Sequence, residues 1–482
     1  MNLGFIKSTG IFAIAGAYRS LCLVLLMPLW TTYLDPAAIG LFAVVMTVSQ
    51  ILSRVGSFGL NASLTRFYID YEQNPKRYAQ FFTSVVCSLF VATIIICVGL
   101  WMSQDSLGSL LLGSDNDYLW SYIYVLYLCA LVTGICGAIY IVEGNAKGAF
   151  VVTVYPQTAG LVVGLILVVY YDLGLPGRLD GLIVGEIIAA TCCLIILVNK
   201  FATRHLSKTD MREAWLFGLP LVIHSVSQLL LQAGDRIVLL KMSSAADVGK
   251  YTVATSLVGG MLLLQGAANQ VWAPKLLRLV KRRDESEDSE VDFDKMLQHS
   301  FEIWISVFAI ISGGLIIFGK EMVSLMTGQE AYLGSFRYIT PLAIGALLTG
   351  VYFYGINVVM YTKKNKLIPL ITGLTGVFNI ALNILLIPRY GPLAAAWTTL
   401  LCNGILLVAV HCYSRTISSI RYQYTTLVLA LLMLTVCATG MNYFDQALPD
   451  AWYRTCGWKI LILLLLAGAL WFTPRGRLRK LF

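Results

Sequence analysis

The sequence predicts an all-α polytopic membrane protein of about 14 transmembrane helices, and three observations predict it. Hydrophobic residues make up 58% of the chain and charged residues only 13%, against roughly a quarter charged in soluble domains. Apolar runs of about 20 residues recur from end to end, each long enough to cross a ~30 Å hydrocarbon core. Between those runs, Lys and Arg gather in alternate loops, the bias expected of a chain threaded repeatedly through a bilayer.

Taken in order, the predicted spans begin with Ile11–Tyr33, Ile39–Leu60, Tyr78–Met102 and Tyr118–Val142. Phe150–Tyr171, Gly181–Asn199, Ala214–Leu240 and Val248–Trp272 follow. Gln298–Phe318, Phe336–Met360, Leu367–Ile387, Leu393–Tyr413, Tyr424–Tyr443 and Lys459–Phe472 complete the set. With the N-terminus inside, about 24 basic residues fall in inner loops and about 6 in outer ones. The inner set includes Arg66, Lys76, Arg77, Lys200, Lys275, Arg278, Lys363 and Arg475. Both termini are therefore expected in the cytoplasm. Ile11–Tyr33 is too long for a signal-peptide core and reads as a retained first span.

Composition also excludes several classes. The net charge of +9 comes from short loops rather than a basic face, so no nucleic-acid partner is expected. The 11 cysteines and 4 histidines form no ligand cluster, and cysteine within an apolar run is usually a small packing residue. No cofactor, metal site or disulfide framework is expected. The longest loop, Lys275–Lys295, contains KRRDESEDSEVDFDK and reads as a solvated connector. Outer loops are short, leaving no room for a catalytic domain, and the chain is not expected to be an enzyme.

The chain is organised around Leu229–Ser256, LLLQAGDRIVLLKMSSAADVGKYTVATS. An earlier copy lies at Leu34–Ser49, LDPAAIGLFAVVMTVS, about 209 residues before, half a protein rather than a solenoid repeat. Sliding one over the other aligns Ala37 with Ala246, Ile39 with Val248, Gly40 with Gly249 and Phe42 with Tyr251. The predicted architecture is two parallel six-helix lobes plus two C-terminal helices. Residues 1–200 form the N-lobe, 201–213 a cytoplasmic linker, 214–413 the C-lobe and 414–482 the appended pair.

Charges within apolar runs are expensive and normally face a cavity or a partner. They are Arg19, Arg54, Arg236 and Arg337 among the cations and Glu186, Asp235 and Glu302 among the anions. Arg19 lies deepest in its run, and the other three arginines are nearer span ends. A surplus of guanidinium favours a phosphate- or carboxylate-bearing cargo, because the planar fork pairs bidentately with such groups. The three carboxylates are candidates to carry a coupling ion or to pair with the arginines. Gln228 and Gln232 extend a polar stripe toward Arg236, and His224 roughly continues it. Lys459, at the start of the last span, is expected to snorkel to a headgroup. Asn379 and Asn383 share a helix face and are expected to hold neighbouring helices together.

These residues resemble the polysaccharide and lipid-linked oligosaccharide flippases of the multidrug/oligosaccharidyl-lipid/polysaccharide (MOP) exporter superfamily. GDRIVLLKMSSAADVGKYTVATS at Gly234–Ser256, its echo at Tyr33–Val45 and FNIALNILLIPRYGPLAAAWTTLL at Phe378–Leu401 carry the resemblance. Ala394 stands where the family often has a Gly-Ala-Ala run, a departure that affects packing. The resemblance implies a bacterial inner-membrane flippase working by alternating access. Its implied cargo is an undecaprenyl-pyrophosphate-linked oligosaccharide for O-antigen, capsule or exopolysaccharide assembly. Implied partners are that lipid-linked glycan, membrane lipids, and polymerase and other glycan-assembly proteins. Arg19, Arg54, Arg236 and Arg337 are then the candidates for a substrate-binding cationic cavity. A cation-coupled multidrug antiporter of the same superfamily is the alternative, and a glycan polymerase or ligase a further one. The antiporter predicts acidic residues in the first lobe, and the polymerase predicts a large outer loop.

Overall fold

The computed structural model describes Tyr18, Cys22 and residues 25–104, 107–108, 112, 116–285, 290–362, 364, 367–418, 420, 422–447 and 452–478. Among the described residues every regular element is helical. Eleven helices are long and apolar enough to cross a membrane, and each corresponds to one predicted span. The thirteenth and fourteenth predicted spans contain shorter apolar helices, Thr425–Met441 and Gly457–Leu470. The first span lies largely outside the described residues. Its end is α1, Met27–Tyr33.

The spans start where capping chemistry starts them. In α2, Pro36–Gly56, the Asp35 carboxylate accepts from the Ala38 N–H at 2.8 Å, and Pro36 occupies the first turn. α4, Pro75–Met102, repeats the device with Asn74 and Pro75. Between them lies α3, Leu60–Asp70. It is separated from α2 by Phe58 and Gly59, whose φ values of 48° and 68° turn the chain. The predicted span Ile39–Leu60 therefore ends four residues early, at Gly56.

α5, Leu119–Val142, leads to α6, Ala146–Leu165, which closes in a π-helical turn at Ile166–Tyr170. α7, Gly174–Phe201, returns along it. Gly160 and Gly164 of α6 face Gly181 and Gly185 of α7 so closely that a Cβ on Gly181 would land on the Gly164 backbone. That is the small-residue packing by which membrane helices gain dispersion contact without a hydrophobic driving force.

Residues 201–207, the first part of the expected linker 201–213, are fastened to α4. Thr83 Oγ1 donates to the Phe201 carbonyl at 2.9 Å and accepts from the Thr203 N–H at 3.0 Å. Ser84 Oγ accepts from the Ser207 N–H at 2.9 Å. The next helix, α8, Lys208–Ala233, begins with Asp210, buried and bound bidentately by Arg77 at 2.6 Å through each nitrogen. Trp215 of α8 packs at a tilt against Phe58, ring centres 4.6 Å apart, and donates to Ser88 Oγ at 3.0 Å. The predicted span Ala214–Leu240 is broken at Gly234, after which α9, Asp235–Met242, continues. A Cβ at Gly234 would lie 2.5 Å from the Leu230 carbonyl oxygen, an approach that glycine permits.

α10, Ala245–Glu285, runs 41 residues, about 60 Å at 1.5 Å per residue and twice the hydrocarbon thickness. Much of the loop expected at Lys275–Lys295 is helical, since α10 reaches Glu285 and α11, Glu290–Ile317, begins soon after, while Lys275, Arg278 and Lys281 are exposed as a solvated connector requires. Leu276 and Val280, one turn apart and buried, carry the helix onward, and Lys, Arg and Glu are good helix formers.

Then follow α12, Gly319–Thr327, and α13, Phe336–Tyr361, with α14, Ile368–Tyr390, and α15, Leu393–Ile417. Asn379 and Asn383 are fully buried on α14. Asn383 donates to Asn379 at 3.2 Å and accepts from Thr398 of α15, so the pair ties two helices together.

The appended helices are α16, Thr425–Ala447, and α17, Trp452–Leu478. Lys459 of α17 does not snorkel. It is 3% exposed and ion-paired with Glu321 of α12, because that carboxylate lies within reach and a headgroup does not solvate a side chain enclosed by protein. At the other end, Gln298 of α11 donates to the Gln423 carbonyl at 3.1 Å and accepts from its N–H at 2.8 Å. We expect Lys459→Met to lower thermal stability less than Lys459→Ala or Glu321→Ala, because the methionine refills the volume. Melting curves of the three variants in one detergent check the order.

Contacts group the chain into two units, Met1–Gly249 and Lys250–Phe482, with α10 crossing from one to the other.

Candidate functional site

Both copies of the repeated motif start a helix with the same device. In the first, Asp35 caps α2. In the second, Ser244 stands at the aligned position and its Oγ accepts from the Asp247 N–H at 3.1 Å. Ser244 Oγ also donates to the Asp247 carboxylate at 2.8 Å, which orients the capping hydroxyl. Burial is likewise shared, with Ile39 and Val44 matched by Val248 and Val253, all enclosed.

The two copies then pack on each other, reciprocally. A Cβ on Gly40 would strike the Ala245 carbonyl, and one on Gly249 would strike the Pro36 carbonyl. Pro36 aligns with Ala245 and Gly40 with Gly249, so each copy presents the same patch and receives the other's. This is the self-complementary arrangement of a two-fold interface, closed backbone to backbone because both contact residues are glycine. All four residues lie in the first unit, at the helix ends that the basic-loop bias assigns to the outer side. At the opposite end of α2, the Gly59 backbone lies against Gly218 of α8, and Ser63 Oγ donates to the Ala214 carbonyl at 2.7 Å.

The charged candidates are distributed as follows. Arg19 lies outside the described residues. Arg54 is exposed in the last turn of α2, where the helix dipole favours a cation. Asp235 is 3% exposed at the first position of α9, the end at which a carboxylate is favoured. Its neighbour Arg236 is half-buried, as is Glu186 in α7. Arg337 is exposed near the start of α13, and Glu302 of α11 is 2% exposed, accepting from Gln298 Nε2 at 2.9 Å. Arg54, Arg236, Asp235 and Glu186 thus belong to the first unit and Arg337 and Glu302 to the second. On α8, Gln228 is half-buried and Gln232 exposed. The side chain of His224 lies outside the described residues.

One buried cation escaped the sequence reading. Arg178 precedes the predicted span Gly181–Asn199, but α7 begins at Gly174 and the residue is buried. Glycines at 177, 181 and 185, spaced one turn apart, were the signal that the helix extends back past it.

Comparison with known proteins places these features. The family described as polysaccharide biosynthesis protein matches residues 5–280. A capsular polysaccharide biosynthesis protein, CapF, of Staphylococcus aureus is 27% identical over 212 residues, which are 43% of this chain and 50% of that protein. The match thus spans about half the length of that curated relative. Among solved structures, the lipid II flippase MurJ in an inward closed conformation superposes with a TM-score of 0.68 at 14% identity, covering 97% of this chain and 98% of that one. An inward-facing multidrug resistance MATE transporter of the MOP superfamily gives 0.64 at 15% identity, covering 82% of this chain and 94% of that one. The chain belongs to the polysaccharide biosynthesis protein family and carries the transporter fold of the MOP superfamily.

Proposed function

We propose that this protein is a flippase that carries a lipid-linked oligosaccharide from the cytoplasmic to the outer leaflet of a bacterial inner membrane by alternating access. The observation that carries the reading is one of extent. MurJ covers 97% of the chain, whereas MATE transporters cover 82% or 86%. Residues 414–482, the appended helices, are about one seventh of the sequence. Family membership and the capsular relative point to glycan assembly as the setting. In this reading residues 1–200 and 214–413 are the lobes that alternate, and both termini are cytoplasmic. The motif copies at Pro36–Gly40 and Ala245–Gly249 close the outer side.

The cargo's anionic linkage is read by arginines. Arg19, Arg54, Arg236 and Arg337 are the proposed set, with Arg19 central because it lies mid-run, where a side chain reaches the interface least. Arg19→Lys keeps the charge but loses the bidentate fork, so partial export is expected. Arg19→Gln should stop surface glycan assembly with normal membrane abundance. Export and abundance measured together decide the matter. Full export by a normally expressed Arg19→Gln would remove Arg19 from the anion site. Asp235, Glu186 and Glu302 are proposed to carry a coupling ion or to pair with those arginines.

The MATE-like fold favours one second reading, a cation-coupled drug antiporter. The two separate in reconstituted vesicles. Movement of a fluorescent lipid-linked glycan supports the flippase, and cation-dependent efflux of small cationic dyes without it supports the antiporter.

A further inference from the structure

Arg178 is 6% exposed. Its guanidinium carbon lies 3.7 Å from the ring centre of Phe42 in α2 and 4.6 Å from the ring of Trp30 in α1. Gly164 of α6 makes room for this cluster, since a Cβ there would reach both Trp30 and the Arg178 carbonyl. Trp30 and Phe42 stand on either side of the Leu34–Gly40 turn, four residues before it and two after. One side chain on α7 therefore holds both flanks of the segment that carries Pro36 and Gly40.

The position is unfavourable for a cation on three counts. It is withdrawn from water within an apolar helix pair. It sits near the positive N-terminal end of α7, and on the side that the basic-loop bias leaves poor in Lys and Arg. A neutral side chain of similar volume would fill the space without those costs. The guanidinium is attracted to the faces of two rings at once, an attraction that strengthens as water is removed. The ring aligned with Phe42 in the second copy is Tyr251. Tyr251 packs edge-on against Tyr338, 5.6 Å away.

We propose that Arg178 is a positioning residue: by clamping Trp30 and Phe42 it sets the Leu34–Gly40 turn in the register that meets Ala245–Gly249. The proposal does not depend on the cargo, so it can fail or hold independently of the flippase reading. The test uses the full chain with its native cysteines replaced, in lipid nanodiscs, spin-labelled at Ala37→Cys and Ala246→Cys beside the contact. Distances are read by pulsed electron resonance. The parent should show a short-distance population. Arg178→Gln should lower its share at least about threefold, Arg178→Lys should keep most of it, and Phe42→Leu should lower it with the arginine intact. A folded Arg178→Gln with an unchanged distribution overturns the proposal, as does Lys behaving like Gln. Should Arg178→Gln not accumulate, Phe42→Leu decides alone: a lowered share supports the clamp and an unchanged one overturns it.

Discussion

On the proposed flippase reading, Gly249→Leu is expected to abolish glycan export while the protein remains in the membrane at near-normal abundance. A Cβ at Gly249 would land on the Pro36 carbonyl, and the Pro36 Cα is 3.0 Å from the same point. These are backbone atoms, with no flexible side chain to move aside. The motif ends must therefore separate, at an overpacking cost of about 1–3 kcal/mol. Much of the helix on either side can remain packed, since the substitution enters a contact between helix ends. A bias of about 1.4 kcal/mol already shifts a two-state equilibrium tenfold, so a transporter that must close here should lose at least about tenfold in export. Gly40→Leu, which strikes the Ala245 carbonyl, should reproduce the phenotype because the contact is reciprocal. Gly249→Ala should be milder. Wild-type export by a fully expressed Gly249→Leu would show that the contact is not part of the transport cycle.

Gly181→Leu should fail differently, by not folding. Its Cβ would lie on the Cα and nitrogen of Gly164, and within 2.8 Å of the Gly160 carbonyl. α6 and α7 would have to part along their length rather than at one end. A penalty at or above the upper end of the ~1–3 kcal/mol overpacking range is expected, a large share of a typical ~5–15 kcal/mol of stability. Membrane abundance should fall severalfold and the detergent-solubilised remainder should melt earlier. Gly99→Leu is the control, because nothing lies within 4 Å of its Cβ position. Equal abundance of the two variants would mean that α6 and α7 do not pack through glycine.

How much of this was legible in the sequence follows from the range of the forces involved. Hydrocarbon thickness acts on runs of about 20 residues, so eleven spans were placed correctly without knowing any contact. The repeat was equally readable, because a cap, a small residue and an apolar stripe are local patterns. Asp35 and Ser244 indeed cap their helices at aligned positions. The asparagine ladder was legible for the same reason, since four-residue spacing places Asn379 and Asn383 on one face.

The first things to escape were helix breaks. Hydropathy alone runs α2 on to Leu60 and α8 on through Gly234, since neither the left-handed turn at Phe58–Gly59 nor the division at Gly234 changes apolar content. Charged stretches misled in the opposite direction. KRRDESEDSEVDFDK reads as a solvated loop between spans because its charge density is high. Helix propensity and the buried Leu276 and Val280 carry the helix to Glu285 instead.

What the sequence by itself determined is membrane residence, the helical class, most of the spans and the existence of two matched motifs. Each of these depends on one segment and its solvent. Tertiary structure alone decided the partners of the charges and of the glycines. Lys459 could have reached a headgroup and instead meets Glu321, 138 residues away in sequence. Arg178 precedes the predicted span Gly181–Asn199 and is enclosed by two rings from other helices. Gly40 and Gly249 were recognisable as a pair, but that they touch depends on how the helices cross. The free energy of an ion or a bare backbone in an apolar medium is set by the single group it faces, and sequence distance carries no information about that group.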